Sequence, residues 1–275
     1  MTKFCTPISI LFATLALAFA APLQSTDTAP MTKAEIADLK GALERGLDLY
    51  RYDQAAWHTT DTLLEDIADP GKKGIHGWVV TSVENGMQVT YWKPTGDSFE
   101  AVYSAIYNGS EVVSRTVHTP SNATLTSSQL ALVRASRVPE TGKLMRCSDK
   151  PFNTVIMPSG KNSGSIYVYF LTPYNVLNEI PFGGHYRFEV LDGEVLEQRA
   201  FTKSCIALSL TGEQNDKGEP IAVGISHSLD PTPTEVHVFS MFTARVPLYV
   251  VTISPKRTWV VEASGGQPRA RLLDR

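Results

Sequence analysis

Apolar residues recur at steps of three and four from Ile36 through Leu39, Leu43 and Leu47 to Tyr50, the period that lays a stripe along one face of an α-helix. Thr32 and Glu35 stand just ahead of that stripe in capping-box spacing, so a helix is predicted over residues 33–51. A second helical piece is predicted over 54–67, ended by Asp69-Pro70-Gly71. The period then changes to two. Asn85-Gly86 separates Val79 and Val80 from the run 89–92, and Asn108-Gly109 separates 102–107 from 111–117. Asn-Gly tolerates positive φ at both turn positions, so two hairpins and four antiparallel strands are expected. Thr126 with Gln129 repeats the capping signature and opens a helix that must close before Pro139.

Beyond Cys147, short apolar or alternating runs predict strands over 152–157, 165–171, 185–190, 195–201, 206–210 and 221–226. Between the third and fourth of these, a loop of Leu191-Asp192-Gly193 would set Phe188 opposite Leu196 and Arg187 opposite Glu197. That register is preferred over an Asp192-Gly193 loop, because it separates an apolar face from a polar one. Asp230-Pro231-Thr232-Pro233 breaks the chain before a helix over 234–244; strands over 247–253 and 258–262 follow, and residues 266–275 read as a polar, basic tail. Helices and strands are both present without strict alternation. The predicted class is therefore α+β, mainly antiparallel sheet with N-terminal helices, one mid-chain helix and one C-terminal helix. Turn residues Pro139, Thr141 and Gly142 mark a seam between 32–143 and 144–275, with one continuous domain as the alternative.

The first residues place the chain in a compartment. Met1 to Lys3 give a positive start, residues 8–20 are almost wholly apolar, and Ala18-Phe19-Ala20-Ala21-Pro22 offers small residues at a cleavage point. This is the pattern of an export signal over 1–21, followed by a polar tether over 22–31. The apolar run of about 13 residues is shorter than the roughly 20 needed to cross a bilayer, so no stable membrane span is expected after cleavage. Cys5 leaves with the signal. Cys147 and Cys205 remain in an oxidising periplasmic or extracellular space, where a disulfide between them is expected to act as a staple. With 43% hydrophobic and 19% charged residues the chain has the composition of a packed globule, which excludes collagen, coiled coil and intrinsic disorder. A formal charge of −3 with mixed signs leaves no nucleic-acid footprint.

The densest run of ligand-type side chains lies between Ser226 and His237. It supports two readings. In the first, Asp230 or Thr232 caps the following helix and Glu235 suits the positive end of its dipole, so that Glu235→Ala changes stability by about 1 kcal/mol or less. In the second, His227, Asp230, Glu235 and His237 form an acid/base or divalent-metal site, with zinc as the candidate metal and His185 as a contributor from a neighbouring strand. The tight His-Glu-x-x-His pattern is missing, so no catalytic residue is assigned and no cofactor is predicted. Gly183-Gly184-His185 would let a backbone approach a ligand, with His185, Arg187 and Glu197 on one face of the sheet. Trp57, Trp78 and Trp92 are aromatic anchors whose ordinary place is the core, a ligand groove being the alternative. His76 and His118 receive no role, and no Gly-x-Ser-x-Gly elbow is present.

Residues 221–261 resemble the core of JAB/MPN-type metallopeptidases, in which a strand bearing His-x-His leads through a Ser-x-x-Asp loop into a helix and further strands. Thr232-Pro233-Thr234-Glu235 stands where Ser-x-x-Asp would be, Ile225-Ser226-His227 carries one histidine in place of two, and no residue matches the glutamate base. The resemblance implies a degenerate, non-catalytic relative. Phe182-Gly183-Gly184-His185-Tyr186-Arg187 and Phe201-Thr202-Lys203-Ser204-Cys205 are similar to segments of exported bacterial proteins, a resemblance that implies no activity. The functional expectation is an exported, non-enzymatic binding or structural module for a small-molecule or protein ligand. The alternative is a periplasmic metal-dependent hydrolase built on residues 227–237.

Overall fold

The computed structural model describes residues 30–137, 144–161, 163–174, 178–210 and 222–273. The expected export signal and the turn residues of the proposed seam lie outside them. The described chain is α+β, with three helices and mostly antiparallel strands in four sheets.

Where the pattern predicts two helical pieces, there is one: α1 runs unbroken over Lys33–Asp66. Its capping box is formed as expected, Glu35 N–H donating to Thr32 Oγ1 at 3.1 Å and Thr32 N–H to Glu35 Oε2 at 2.6 Å. The buried stripe differs from the predicted one. It passes through Leu39, Ala42, Gly46, Leu49, Tyr52, Ala56, Thr59 and Leu63, leaving Ile36 at 55% exposure. Tyr52 carries the stripe across the apparent gap, and small or hydroxyl side chains continue it. The Thr59 hydroxyl, for example, is satisfied by Ala55 O at 2.7 Å.

Strands β1 (Gly77–Val83), β2 (Gly86–Thr95), β3 (Ser98–Tyr107) and β4 (Val112–Val117) make an antiparallel meander in sequence order. The first turn is not centred on Asn85-Gly86: Val83 pairs with Gly86, so Glu84 and Asn85 form the loop and only Gly86 takes positive φ. At the β3–β4 turn, Asn108 Oδ1 accepts the backbone N–H groups of Ser110 and Glu111 instead of sitting at positive φ itself. Helix α2 (Ser127–Ser136) follows, with the Thr126–Gln129 capping box in place.

The next sheet has the order β5-β6-β8-β9, from β5 (Asn153–Pro158), β6 (Ile166–Leu171), β8 (Tyr186–Leu191) and β9 (Glu194–Ala200). Two short strands absent from or longer in the sequence reading, β7 (Glu179–Pro181) and β10 (Ala207–Ser209), pair with each other as a separate ladder. The β8–β9 register corrects both predicted alternatives. Leu191 pairs with Glu194 across an Asp192-Gly193 loop, and a bulge then shifts the ladder so that Phe188 faces Gln198 and Arg187 faces Arg199. The last sheet joins β11 (Val223–His227) in parallel to β12 (Leu248–Thr252) through α3 (Glu235–Ala244), and continues antiparallel into β13 (Arg257–Ser264) and β14 (Gln267–Leu272). The predicted C-terminal tail is thus an edge strand.

One core cluster lies where α1 meets β2, β3, β6 and α3, and includes Leu49, Tyr91, Tyr103, Tyr169 and Phe239. A second packs α2 and β1 on β6 and β8 through Leu132, Val79, Phe170 and Phe188; a third lies between α3 and the last sheet around Val238, Trp259 and Phe182. Gly46 sets the approach of α1 to α3, since a Cβ there would lie 2.4 Å from Val238 Cβ. Cys147 and Cys205 form the expected disulfide, with Cα atoms 5.3 Å apart. Gly184 lies against it at φ +75°, where a side chain would meet Cys147 Sγ at 2.7 Å.

Candidate functional site

The run from Ser226 to His237 folds as predicted, strand end to helix start, and its polar atoms turn on one another. His227, at the end of β11, places Nε2 2.8 Å from Asp230 Oδ2, while Asp230 Oδ1 accepts from Arg199 Nη2 on β9 at 2.7 Å. Burial alone would raise the Asp230 carboxyl; the His227 bond and the Arg199 charge outweigh it and hold the group below its ordinary value. Thr234, and neither Asp230 nor Thr232, is the N-cap of α3. Its backbone N–H donates to His237 Nδ1 at 3.0 Å, so His237 plays the part that Glu or Gln plays in a capping box. The two imidazoles pack edge-on with centroids 4.7 Å apart, and burial, reinforced by His227, drives His237 well below the usual histidine range.

The other two candidates bond elsewhere. Glu235 is 1% exposed and accepts from Arg187 Nη1 on β8 at 2.7 Å, from Arg45 on α1 at 3.4 Å and from the Tyr169 hydroxyl at 3.3 Å. Burial would raise this carboxyl, but the guanidinium charges of Arg45 and Arg187 hold it below the ordinary value. Arg187 also reaches Glu197 at 3.3 Å and lies over the Tyr167 ring, so this pair of the expected set stays in contact despite the shifted register. His185 accepts Thr172 N–H on Nδ1 at 3.2 Å and donates from Nε2 to Pro181 O at 2.9 Å; burial pushes it down to about 4. Among the described residues no three His, Cys, Asp or Glu side chains form a group able to hold a metal ion.

Two further polar clusters were invisible in the sequence. His118 bonds Asn122 O through Nδ1 at 2.9 Å and places Nε2 2.8 Å from Ser104 Oγ, the spacing of a serine–histidine pair. Ser104 is buried, however, and continues into Thr90 Oγ1 and Gln129 Nε2, so the chain ties β2, β3 and α2 together. Ser165 donates to Glu189 Oε1 at 2.7 Å, and Lys161 holds the second carboxylate oxygen. The same hydrogen bond raises Lys161, leaving it a poor base.

The open chemistry lies elsewhere. A groove of about 780 Å³ is bounded by α1, β1, the entry to β5, the segment after β6 and α3. Its walls carry the aromatic side chains Tyr50, Trp57, Trp78, Phe152, Tyr174 and Phe239. Trp92 is a core anchor as expected, but Trp57 is 57% exposed. It follows the buried Ala55 and Ala56 on α1, and the helical advance of 3.6 residues per turn carries it off the core face. Polar atoms enter from Asp53, Gln54, Thr60 and Asn153, and Lys150 and Arg245 supply the cations. Asp53 Oδ1 accepts from Asn153 Nδ2 at 2.6 Å and Oδ2 from Gln54 at 3.5 Å; burial raises its carboxyl, which these bonds counter only in part. A second cavity of about 500 Å³ shares Trp78, Pro151 and Phe152 as a common wall and reaches His76 and Trp92. The sequence marked Trp57 and Trp78, but Asp53, Asn153 and Tyr174 come from separate segments that no spacing connects.

Comparison with known protein families, with curated proteins and with solved structures returns no match.

Proposed function

We propose that the protein is an exported, disulfide-braced binding module that holds a small organic ligand in the groove lined by Trp57. The exposed indole carries this reading. Ligand sites are concave, of roughly 300–1,000 Å³, mostly apolar or aromatic and furnished with a few polar groups, and the groove has each of these properties. The arrangement of the histidines favours binding over hydrolysis, because His227 Nε2 and His237 Nδ1 are already engaged by Asp230 and Thr234. Stoichiometric zinc in the purified protein, lost in His227→Ala, would replace the binding reading with the metallo-hydrolase one.

A thermal-shift panel of small organic molecules tests the proposal, since a ligand that binds the native state alone raises the melting temperature in proportion to ln(1 + [L]/Kd). Hits on the natural sequence should bind about tenfold more weakly to Trp57→Ala, a loss of about 1.4 kcal/mol. Hits that shift both proteins equally would place the ligand elsewhere and end the groove reading. Because Trp57 is largely in solvent, the variant should keep its own melting temperature.

A further inference from the structure

A purely apolar ligand would leave one feature of the groove unexplained. The protein pairs several inward carboxylates with cations: Glu35 with Arg257, Glu189 with Lys161, Asp230 with Arg199, and Glu235 with Arg187 and Arg45. Asp53 has no such cation among the described residues. It lines the groove, burial is the largest influence on it, and its partners are the neutral amides of Asn153 and Gln54, with no ion pair among the described residues. A carboxylate withdrawn from water without a counter-ion is costly unless something else brings the positive charge.

The surroundings suit a particular kind of cation. Trp57, Trp78, Phe152, Tyr50 and Tyr174 surround the same space, and aromatic faces attract cations, most of all alkylated ammonium groups that shed their water easily. The rim has the opposite sign. Lys150 and Arg245 are exposed, line the groove and enter no ion pair among the described residues. A simple cation would satisfy Asp53 and be opposed at the rim; an anion would be held at the rim and opposed inside.

Building on the groove as the ligand site, we infer that its ligand is a zwitterion, with an ammonium group held by Asp53 and the aromatic walls and an anionic group held by Lys150 and Arg245. Both kinds of charge in the groove then find a partner in one bound molecule.

Three probes of nearly equal shape separate the terms by calorimetric titration. Trimethylglycine carries both charges, choline the cation without the anion, and 3,3-dimethylbutanoate the anion with a neutral tert-butyl group in place of the ammonium. Trimethylglycine should bind most tightly, should weaken about tenfold in Asp53→Asn, and should lose its advantage over choline in a Lys150→Gln/Arg245→Gln double variant. The Asn153 contact survives in Asp53→Asn, since the new amide keeps an oxygen acceptor, and the three-probe comparison on the unaltered protein needs no variant. The inference is overturned if 3,3-dimethylbutanoate binds as tightly as trimethylglycine, or if Asp53→Asn leaves the affinity of trimethylglycine unchanged. It is also overturned if trimethylglycine gives no heat up to about 10 mM, tenfold beyond a millimolar Kd. In each of those cases panel hits that depend on Trp57 would still uphold the groove as a binding site, whereas hits indifferent to Trp57 would remove both readings.

Discussion

At the scale of single residues, His185 links the fold to pH. Both ring nitrogens are used, one accepting from Thr172 and one donating to Pro181 O, so the neutral tautomer is fixed and burial lowers the group from 6.5 to about 4. Below pH 6.5 the unfolded chain takes up a proton that the folded chain refuses, so stability is lost as the pH falls between these values. The loss from this residue reaches about 3 kcal/mol at pH 4. Melting temperatures should start to fall near pH 6.5, above the carboxylate range, and more gently in His185→Gln, which keeps a donor and an acceptor without titrating. Glu235 makes a sharper case. As a helix-end charge its removal would cost about 1 kcal/mol; as the anion shared by two guanidinium groups in the interior, Glu235→Ala should cost about 3–5 kcal/mol, read from the urea midpoint. The sequence located these residues, since strand end and helix start force His227, Asp230 and His237 into proximity. It did not show whether their polar atoms would meet a cavity or one another. That was decided by Arg199, Arg187 and Arg45, which arrive from β9, β8 and α1.

At the scale of elements, the contact of α1 with α3 rests on Gly46. On propensity alone Gly46→Ala would favour the helix by about 1 kcal/mol. With Glu235 O at 2.7 Å and Val238 Cβ at 2.4 Å from the added methyl, the helices must part, and we expect a net destabilisation of about 1–3 kcal/mol in chemical unfolding. Element types were widely legible because capping pairs and apolar periods are local. α1 reads as two pieces because the apolar period from Ile36 stops at Tyr50, whereas the buried stripe moves to Leu49, Tyr52 and Ala56 across Arg51 and Asp53. The β8–β9 register was missed because β9 is an edge strand exposed along most of its length, so burial could not choose between faces. β14 read as a tail for the same reason: a charged edge strand holding Pro268 takes its order from backbone bonds to β13.

At the scale of the molecule, the cross-link closes a loop of 58 positions, which the chain-entropy account values at about 4 kcal/mol. Unfolding by urea with and without reductant should differ by that order, and Cys147→Ser should match the reduced protein. The pair was legible from cysteine count and the expected compartment; the groove was not, because Trp57, Phe152, Tyr174 and Phe239 converge only once separate segments have packed. The bond also has a position. Lys150, Pro151, Phe152 and Asn153 follow closely on Cys147, so the segment that supplies a cation, an aromatic face and the amide on Asp53 is anchored at the bridge. Cutting the sulfurs apart unmoors that bank of the groove. If the groove holds a ligand as proposed, grip on it becomes conditional on the redox state of the surroundings: firm where the disulfide persists, slack wherever thiols are kept reduced.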